Sequence, residues 1–353
     1  MFITGIGIAA PTQRYDQKQG WQAIQCSPQF GDLTPRSRAI LKKVLCGDNG
    51  ITSRHLALET LEEVFLSNPD RLQERFALHA PALAVEAAQK ALDQAGFKGS
   101  EMDALLVSTC TGYLCPGLTS YVCEQLRMKP GILALDLVGQ GCGAALPNLR
   151  TADALLAGGK AGRVLSICVE VCSAAFFLDN DPGVLISACL FGDGAGAAVL
   201  ERDPPRQNRR VEWRNSASHL DPSQRDILRF SHKNGMLRNI LLPQVPEVAG
   251  AAAGRLLQAM LAGANMEPIQ IRGWILHAGG RDVLLALRRN LGLSEEDVRH
   301  SSAVLREYGN ISSPTVYFVL QKALQDSVPD GFWWMSSFGA GFSCHGALLE
   351  VTS

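Results

Sequence analysis

A chain of 353 residues with 46% apolar and 19% charged residues can bury a large core and is long enough for two domains, and this balance excludes a disordered chain. A formal net charge of −1 excludes a general nucleic-acid or anionic-membrane binder. No apolar run approaches the roughly 20 residues of a membrane helix, and the opening MFITGIGIAAP lacks the basic flank of a signal peptide, so a cytoplasmic protein without a membrane span is expected.

In chain order, PALAVEAAQKALDQAG (81–96) has helical spacing and stops at Gly96, and DALLVST (103–109) reads as a buried strand. GCGAALPNLRTADALLAGG (141–159) is a loop entering a helix, with Pro147 in the first turns, where a missing amide costs no hydrogen bond. An apolar strand at 163–169, a tight inter-strand turn at Phe191-Gly-Asp-Gly194 and a closing strand at 196–201 follow. Polar ERDPPRQNRR (201–210) reads as a crossover linker.

Beyond it the design repeats: a helix at 249–265, an apolar strand ending at His277, a loop-to-helix segment at 308–325, a strand at 331–335, Phe338-Gly-Ala-Gly341 and a closing strand at 346–350. Helices alternating with fully apolar strands imply mostly parallel sheets covered on both faces. The pattern resembles a duplicated thiolase-type α/β fold, five-layered α/β/α/β/α, with halves at 1–205 and 206–353.

Three side chains stand out against glycine-rich backbone. Cys142 lies between Gly141 and Gly143 at a predicted strand-to-helix junction. Free amides and the positive end of a helix dipole favour thiolate there, so a lowered pKa is expected. The other nine cysteines read as small buried hydrophobes in a reducing compartment, with no C-x-x-C pair. His277 closes an apolar strand before Ala278-Gly279-Gly280, where the glycines leave room for a ligand; a core histidine is the plainer alternative. Asn310, in Tyr-Gly-Asn before the second-half helix, occupies the place of Cys142 in the first half, with a helix N-cap as the alternative.

A thiol, an imidazole and a carboxamide converging from related loops can make a carbon–carbon bond from thioesters. The thiol takes an acyl group, and two donors stabilise the enolate left when a malonyl thioester loses carbon dioxide. A cysteine hydrolase and a silent thiolase-fold binding subunit are the rival classes. The remaining histidines show no metal-binding spacing, so no metal is expected. Arg36, Arg38, Lys42, Lys43 and Arg54 form a basic cluster that either receives coenzyme A phosphates, with Gly279 and Gly280 on the same path, or is a solvated face.

At Gly141-Cys142-Gly143-Ala144, His277-Ala-Gly-Gly280, 308–313 (YGNISS) and 190–195 (LFGDGA), the chain resembles the type III polyketide synthases, the chalcone-synthase-like family, of a bacterial kind. The resemblance implies that Cys142 is the nucleophile and that His277 and Asn310 are the decarboxylation and oxyanion pair. It further implies acyl-CoA and malonyl-CoA as substrates, no permanent cofactor, a homodimer, and a pocket including Cys110, Thr111, Cys115, Ser312, Phe338 and either Phe176 or Phe177.

Cys110 and Cys115 replace the threonine and methionine of plant members, and Arg238 or Asn239 stands where a second gatekeeper phenylalanine is usual. Starter, chain length and cyclisation therefore do not carry over from plant enzymes. An initiating ketoacyl-ACP synthase shares the fold and triad, but its histidine lies in a His-x-Ala-Asn context.

Overall fold

The computed structural model describes residues 1–353 except 66–67, 206–208 and 327. The first half runs β1 (Phe2–Ala9), β2 (Arg14–Asp16), α1 (Gln17–Cys26), α2 (Pro35–Cys46), β3 (Ser53–His55), α3 (Pro69–Ala95), β4 (Ala104–Ser108), α4 (Leu118–Gln125), β5 (Leu133–Leu137), α5 (Ala145–Ala157), β6 (Arg163–Glu170), α6 (Pro182–Leu190) and β7 (Gly194–Glu201). The second runs β8 (Arg210–Leu220), β9 (Leu228–Lys233), β10 (Met236–Leu241), α7 (Val245–Gly263), β11 (Ile271–Leu276), α8 (Arg281–Leu291), α9 (Arg299–Tyr308), α10 (Thr315–Gln325), β12 (Gly331–Gly339) and β13 (Ser343–Thr352). The proposed linker at 201–210 lies between β7 and β8, and its residues 206–208 fall outside the described residues.

Nine strands hydrogen-bond in the order β11-β12-β13-β8-β1-β7-β6-β4-β5. The order β4-β6-β7-β1 recurs as β11-β12-β13-β8, the same arrangement built twice. The two copies join where β1 and β8 pair antiparallel through Phe2–Glu212 and Ile3–Val211. The ladders are mixed: β4-β5, β4-β6 and β11-β12 are parallel, and the pairs between them are antiparallel. Apolar runs report burial on both faces but not strand direction, and the closing strands β7 and β13 return antiparallel beside β6 and β12.

Alternation along each strand divides the interior. On β4, Ala104 and Leu106 face the central core with α5 and α10, while Leu105 and Val107 face α3 and α4. On β12, Trp333 faces the centre and Trp334 the outer side with α7 and α8. The layers are α3 and α4, first-half sheet, α5 and α10, second-half sheet, α7 and α8, the five-layered arrangement. A buried polar chain ties the middle layer together. Asn148 of α5 donates to the Ile167 carbonyl (3.1 Å) and accepts from Ser166 Oγ (2.8 Å), which lies 2.8 Å from the Tyr317 hydroxyl of α10.

Two expectations shift. The helix stopping at Gly96, which is left-handed at φ 76°, begins at Pro69 behind the Asn68 cap, and Pro81 lies within it. Phe191-Gly-Asp-Gly194 links α6 to β7 instead of joining two strands, whereas Phe338-Gly-Ala-Gly341 does form the β12–β13 turn. The α1, α2 and α6 cap, a further small core beside Cys142, lies outside the elements read from the sequence.

Helix α3 presents Ala84, Ala87, Ala88 and Ala91 to β1 so closely that a Cβ at Gly7 would lie 2.1 Å from the Ala87 carbonyl oxygen. Gly7→Val should therefore force α3 off the sheet and destabilise the fold by about 3 kcal/mol. Thermal or urea unfolding checks this, and an unchanged midpoint contradicts the close approach.

Candidate active site

The site is built where the loops preceding α5 and α10 meet. Cys142 sits in a tight turn, Gly141–Gly143, directly before α5. Gly141 holds φ 57°, and a Cβ there would lie 2.9 Å from the Ala340 amide nitrogen, so only glycine fits the turn. Ser337 Oγ donates to the Gly143 carbonyl (3.0 Å), fixing the turn from β12.

Asn310 and Ser312 come from the corresponding loop. Asn310 Nδ2 donates to the Gly279 carbonyl (3.0 Å), and its Oδ1 accepts from the Ser312 amide (2.9 Å). That is not an N-cap, because α10 begins at Thr315 with Pro314 at its cap. Ser312 has φ 58°, unusual for a residue with a side chain. The backbone there aims Ser312 Oγ at Cys142 Sγ (3.2 Å), within 3.6 Å of Cys110 Sγ. An unbroken chain of contacts therefore runs Cys142–Ser312–Asn310–Gly279, and Gly279 lies two residues from His277.

His277 is 1% exposed, its ring edge packed against Phe338 with centroids 4.9 Å apart, and neither ring nitrogen has a hydrogen-bond partner among the described residues. Burial drives its pKa down to about 3, so the imidazole is neutral throughout the working range. Burial also pushes the Cys142 thiol up to about 12; the Ser312 hydroxyl counters this and the Glu170 carboxyl adds to it. The expected lowering of the Cys142 pKa is thus reversed, because desolvation outweighs the helix start.

Glu170, at the end of β6, escaped the sequence reading. It is fully buried and accepts from Ser313 Oγ (2.6 Å), Thr111 Oγ1 (3.0 Å) and the Cys110 amide (3.0 Å), while burial raises its pKa. An acidic residue closing an otherwise apolar strand was the available signal.

The other expected residues divide. Cys110 and Thr111 line a cavity of about 540 Å³ together with Gly141. Thr111, Phe176, Ser312 and Asn239 line a smaller inner recess, so Phe176 and Asn239, not Phe177 and Arg238, face it. Phe177 is buried elsewhere, and Arg238 pairs with Asp181. Cys115 is exposed and lines neither space.

Lys42 and Lys43 are exposed on α2, and Gly280 precedes α8. Arg54 does not belong with them. It is 5% exposed, and its guanidinium donates to the Ala188 (2.6 Å) and Phe191 (2.9 Å) carbonyls, tying down the end of α6. Among the described residues no cluster of His, Cys, Asp or Glu is placed to hold a metal ion, and no helix is long and apolar enough to cross a membrane.

Because the thiol is neutral below about pH 12, Cys142 alkylation should rise about tenfold per pH unit through the neutral range. Ser312→Ala removes a bond that favours thiolate, so its rate at a given pH should fall several-fold further. Peptide-resolved iodoacetamide kinetics checks both; a flat profile near neutral pH contradicts them.

Comparison with known proteins places this geometry in a family. The model of the N-terminal domain of chalcone and stilbene synthases matches residues 2–204, and that of their C-terminal domain matches 220–350. The 3,5-dihydroxyphenylacetyl-CoA synthase of Streptomyces toyocaensis is 29% identical over 99% of this chain and 89% of its own. That of Amycolatopsis orientalis is 34% identical over 75% of this chain and 72% of its own. The alpha-pyrone synthesis polyketide synthase-like Pks18 of Mycobacterium tuberculosis is 28% identical over 98% of this chain and 90% of its own. Among solved structures, 1,3,6,8-tetrahydroxynaphthalene synthase of Streptomyces coelicolor shares the fold at a TM-score of 0.88 and 21% identity, each chain fully covered. PKS-I of the brown alga Ectocarpus siliculosus does so at 0.88 and 24%, covering 99% of this chain and 97% of its own. The chain belongs to the chalcone and stilbene synthase family, the type III polyketide synthases.

Proposed function

We propose that this synthase loads an acyl-CoA starter onto Cys142 and extends it with malonyl-CoA by decarboxylative condensation, releasing a short cyclised polyketide of pyrone, resorcinol or phloroglucinol type. The observation that carries the reading is the contact chain from the Cys142 sulfur through Ser312 and Asn310 to the loop that follows His277.

Cys142 loses its proton as its sulfur attacks the starter thioester, with the neutral His277 as acceptor; the imidazolium returns that proton to coenzyme A, which leaves as the thiol, and an acyl-enzyme with a neutral His277 remains. The malonyl thioester carbonyl then lies between His277 and Asn310. Asn310 Nδ2 has two hydrogens and gives one to Gly279, which leaves one for the substrate. A neutral imidazole supplies a second donor. Carbon dioxide departs, the developing enolate oxygen is held by these donors, and the enolate carbon attacks the acyl-cysteine carbonyl, breaking the thioester bond so that Cys142 leaves as thiolate and the chain, two carbons longer, is carried on coenzyme A. In a buried site two such donors are worth several kcal/mol. Substrates are handled as coenzyme A thioesters in the cytoplasm, without carrier protein, metal or resident cofactor.

Cys142→Ala should abolish extension, and Asn310→Ala should slow malonyl-CoA decarboxylation about a hundredfold while acyl loading persists. Product and carbon dioxide assays with malonyl-CoA and no carrier protein check this. Extension that requires a carrier protein favours the ketoacyl-ACP synthase reading, and release of free acid without malonyl-CoA favours the hydrolase.

The homodimer belongs to the same proposal. Strand β5 ends the sheet with one edge unpaired, and Leu133, Leu135 and Val138 are 39%, 36% and 63% exposed beside Tyr113 at 72%. A bare apolar edge invites pairing with a second copy. Leu135→Arg should convert a dimer to a monomer in light scattering, and a monomeric wild-type protein removes the proposal.

A further inference from the structure

The cavity beside Gly141 and Cys110 is apolar along much of its wall, through Leu72, Val138, Phe230 and Leu237, but part of its lining is cationic. Arg225 and Arg229 supply that charge, His232 and Gln73 are also in the lining, and among the described residues no Asp or Glu lines the space. Among the described residues the one carboxylate within 4 Å of either guanidinium is Asp226, 2.8 Å from Arg229 Nε and 3.8 Å from Arg225 Nε. Asp226 is 68% exposed and is not part of the cavity lining. Two permanent positive charges therefore share one solvated counter-charge.

A neutral acyl chain gains nothing from that arrangement. An apolar stem ending in an anion fits it, because arginine binds a carboxylate with two parallel hydrogen bonds. Arg225, Arg229 and His232 lie on the 225–232 stretch leading into and through β9, and they line the same cavity as Gly141, the residue before Cys142.

We propose that the acyl groups this site favours carry a terminal carboxylate, held by Arg229 and Arg225 while the thioester end reaches Cys142. The proposal rests on the polyketide synthase reading and names its starter class as ω-carboxyacyl-CoA.

The test compares adipyl-, suberyl- and sebacyl-CoA with hexanoyl-, octanoyl- and decanoyl-CoA as starters, malonyl-CoA being the extender, with products quantified by mass spectrometry. For at least one matched pair, kcat/KM should favour the acid about tenfold, the value of one charge-assisted contact discounted for exposure. In the Arg225→Gln, Arg229→Gln double variant that ratio should fall toward one, with the acid losing far more than its neutral match. Turnover of the neutral starters reports that the variant is folded. Equal or better use of the neutral starters by the wild-type protein overturns the proposal while leaving the polyketide synthase intact. A ratio that survives in the double variant overturns the role of the arginines. Failure to extend any starter overturns the underlying function, and this inference with it.

Discussion

The middle helical layer is the constraint on which the site depends. Helices α5 and α10 are held between the two sheets, and the Asn148–Ser166–Tyr317 chain fixes them relative to β6 with each polar group buried and partnered. Such a network is stable in one register only, since a slip leaves buried polar groups unpaired. Because the loops that precede these two helices are fixed with them, Cys142 from one half and Asn310 with Ser312 from the other arrive at the same place. The repeated strand order supplies the geometry, and the buried polar chain holds it.

That burial also sets the chemistry. Thiol and imidazole are both moved toward their neutral forms by desolvation, in opposite pKa directions. A resting ion pair is disfavoured in such surroundings. The Ser312 hydroxyl, aimed by a left-handed backbone, is the visible counterweight on the sulfur. Glu170 lies behind it with its oxygens taken up by hydroxyl and amide donors, which offset only part of the burial that raises its pKa.

Much of this was legible in the residues. Glycines around Cys142 and after His277 announced sharp or open backbone, and the duplicated pattern paired the Cys142 and Asn310 loops. Strand direction was not legible, because a fully buried strand is apolar whichever way it runs. Pro81 mimicked a helix start, since proline is favoured there, yet the helix begins earlier behind Asn68. The cap helices and the β9–β10 hairpin lie outside the pattern the two halves share, so the repeat offered no handle on them. Arg54 read as surface charge because nothing local in the sequence shows that two carbonyls at the end of α6 await it.

The measurement that bears most directly on the central claim is covalent trapping. Incubation with an isotopically labelled acyl-CoA alone, acid quenching and peptide mapping should find one acyl group per chain, on the peptide bearing Cys142, and a malonyl-CoA chase should discharge it into product. An acyl group on Cys110 or on any other residue, or an adduct at Cys142 that malonyl-CoA leaves untouched, contradicts the account.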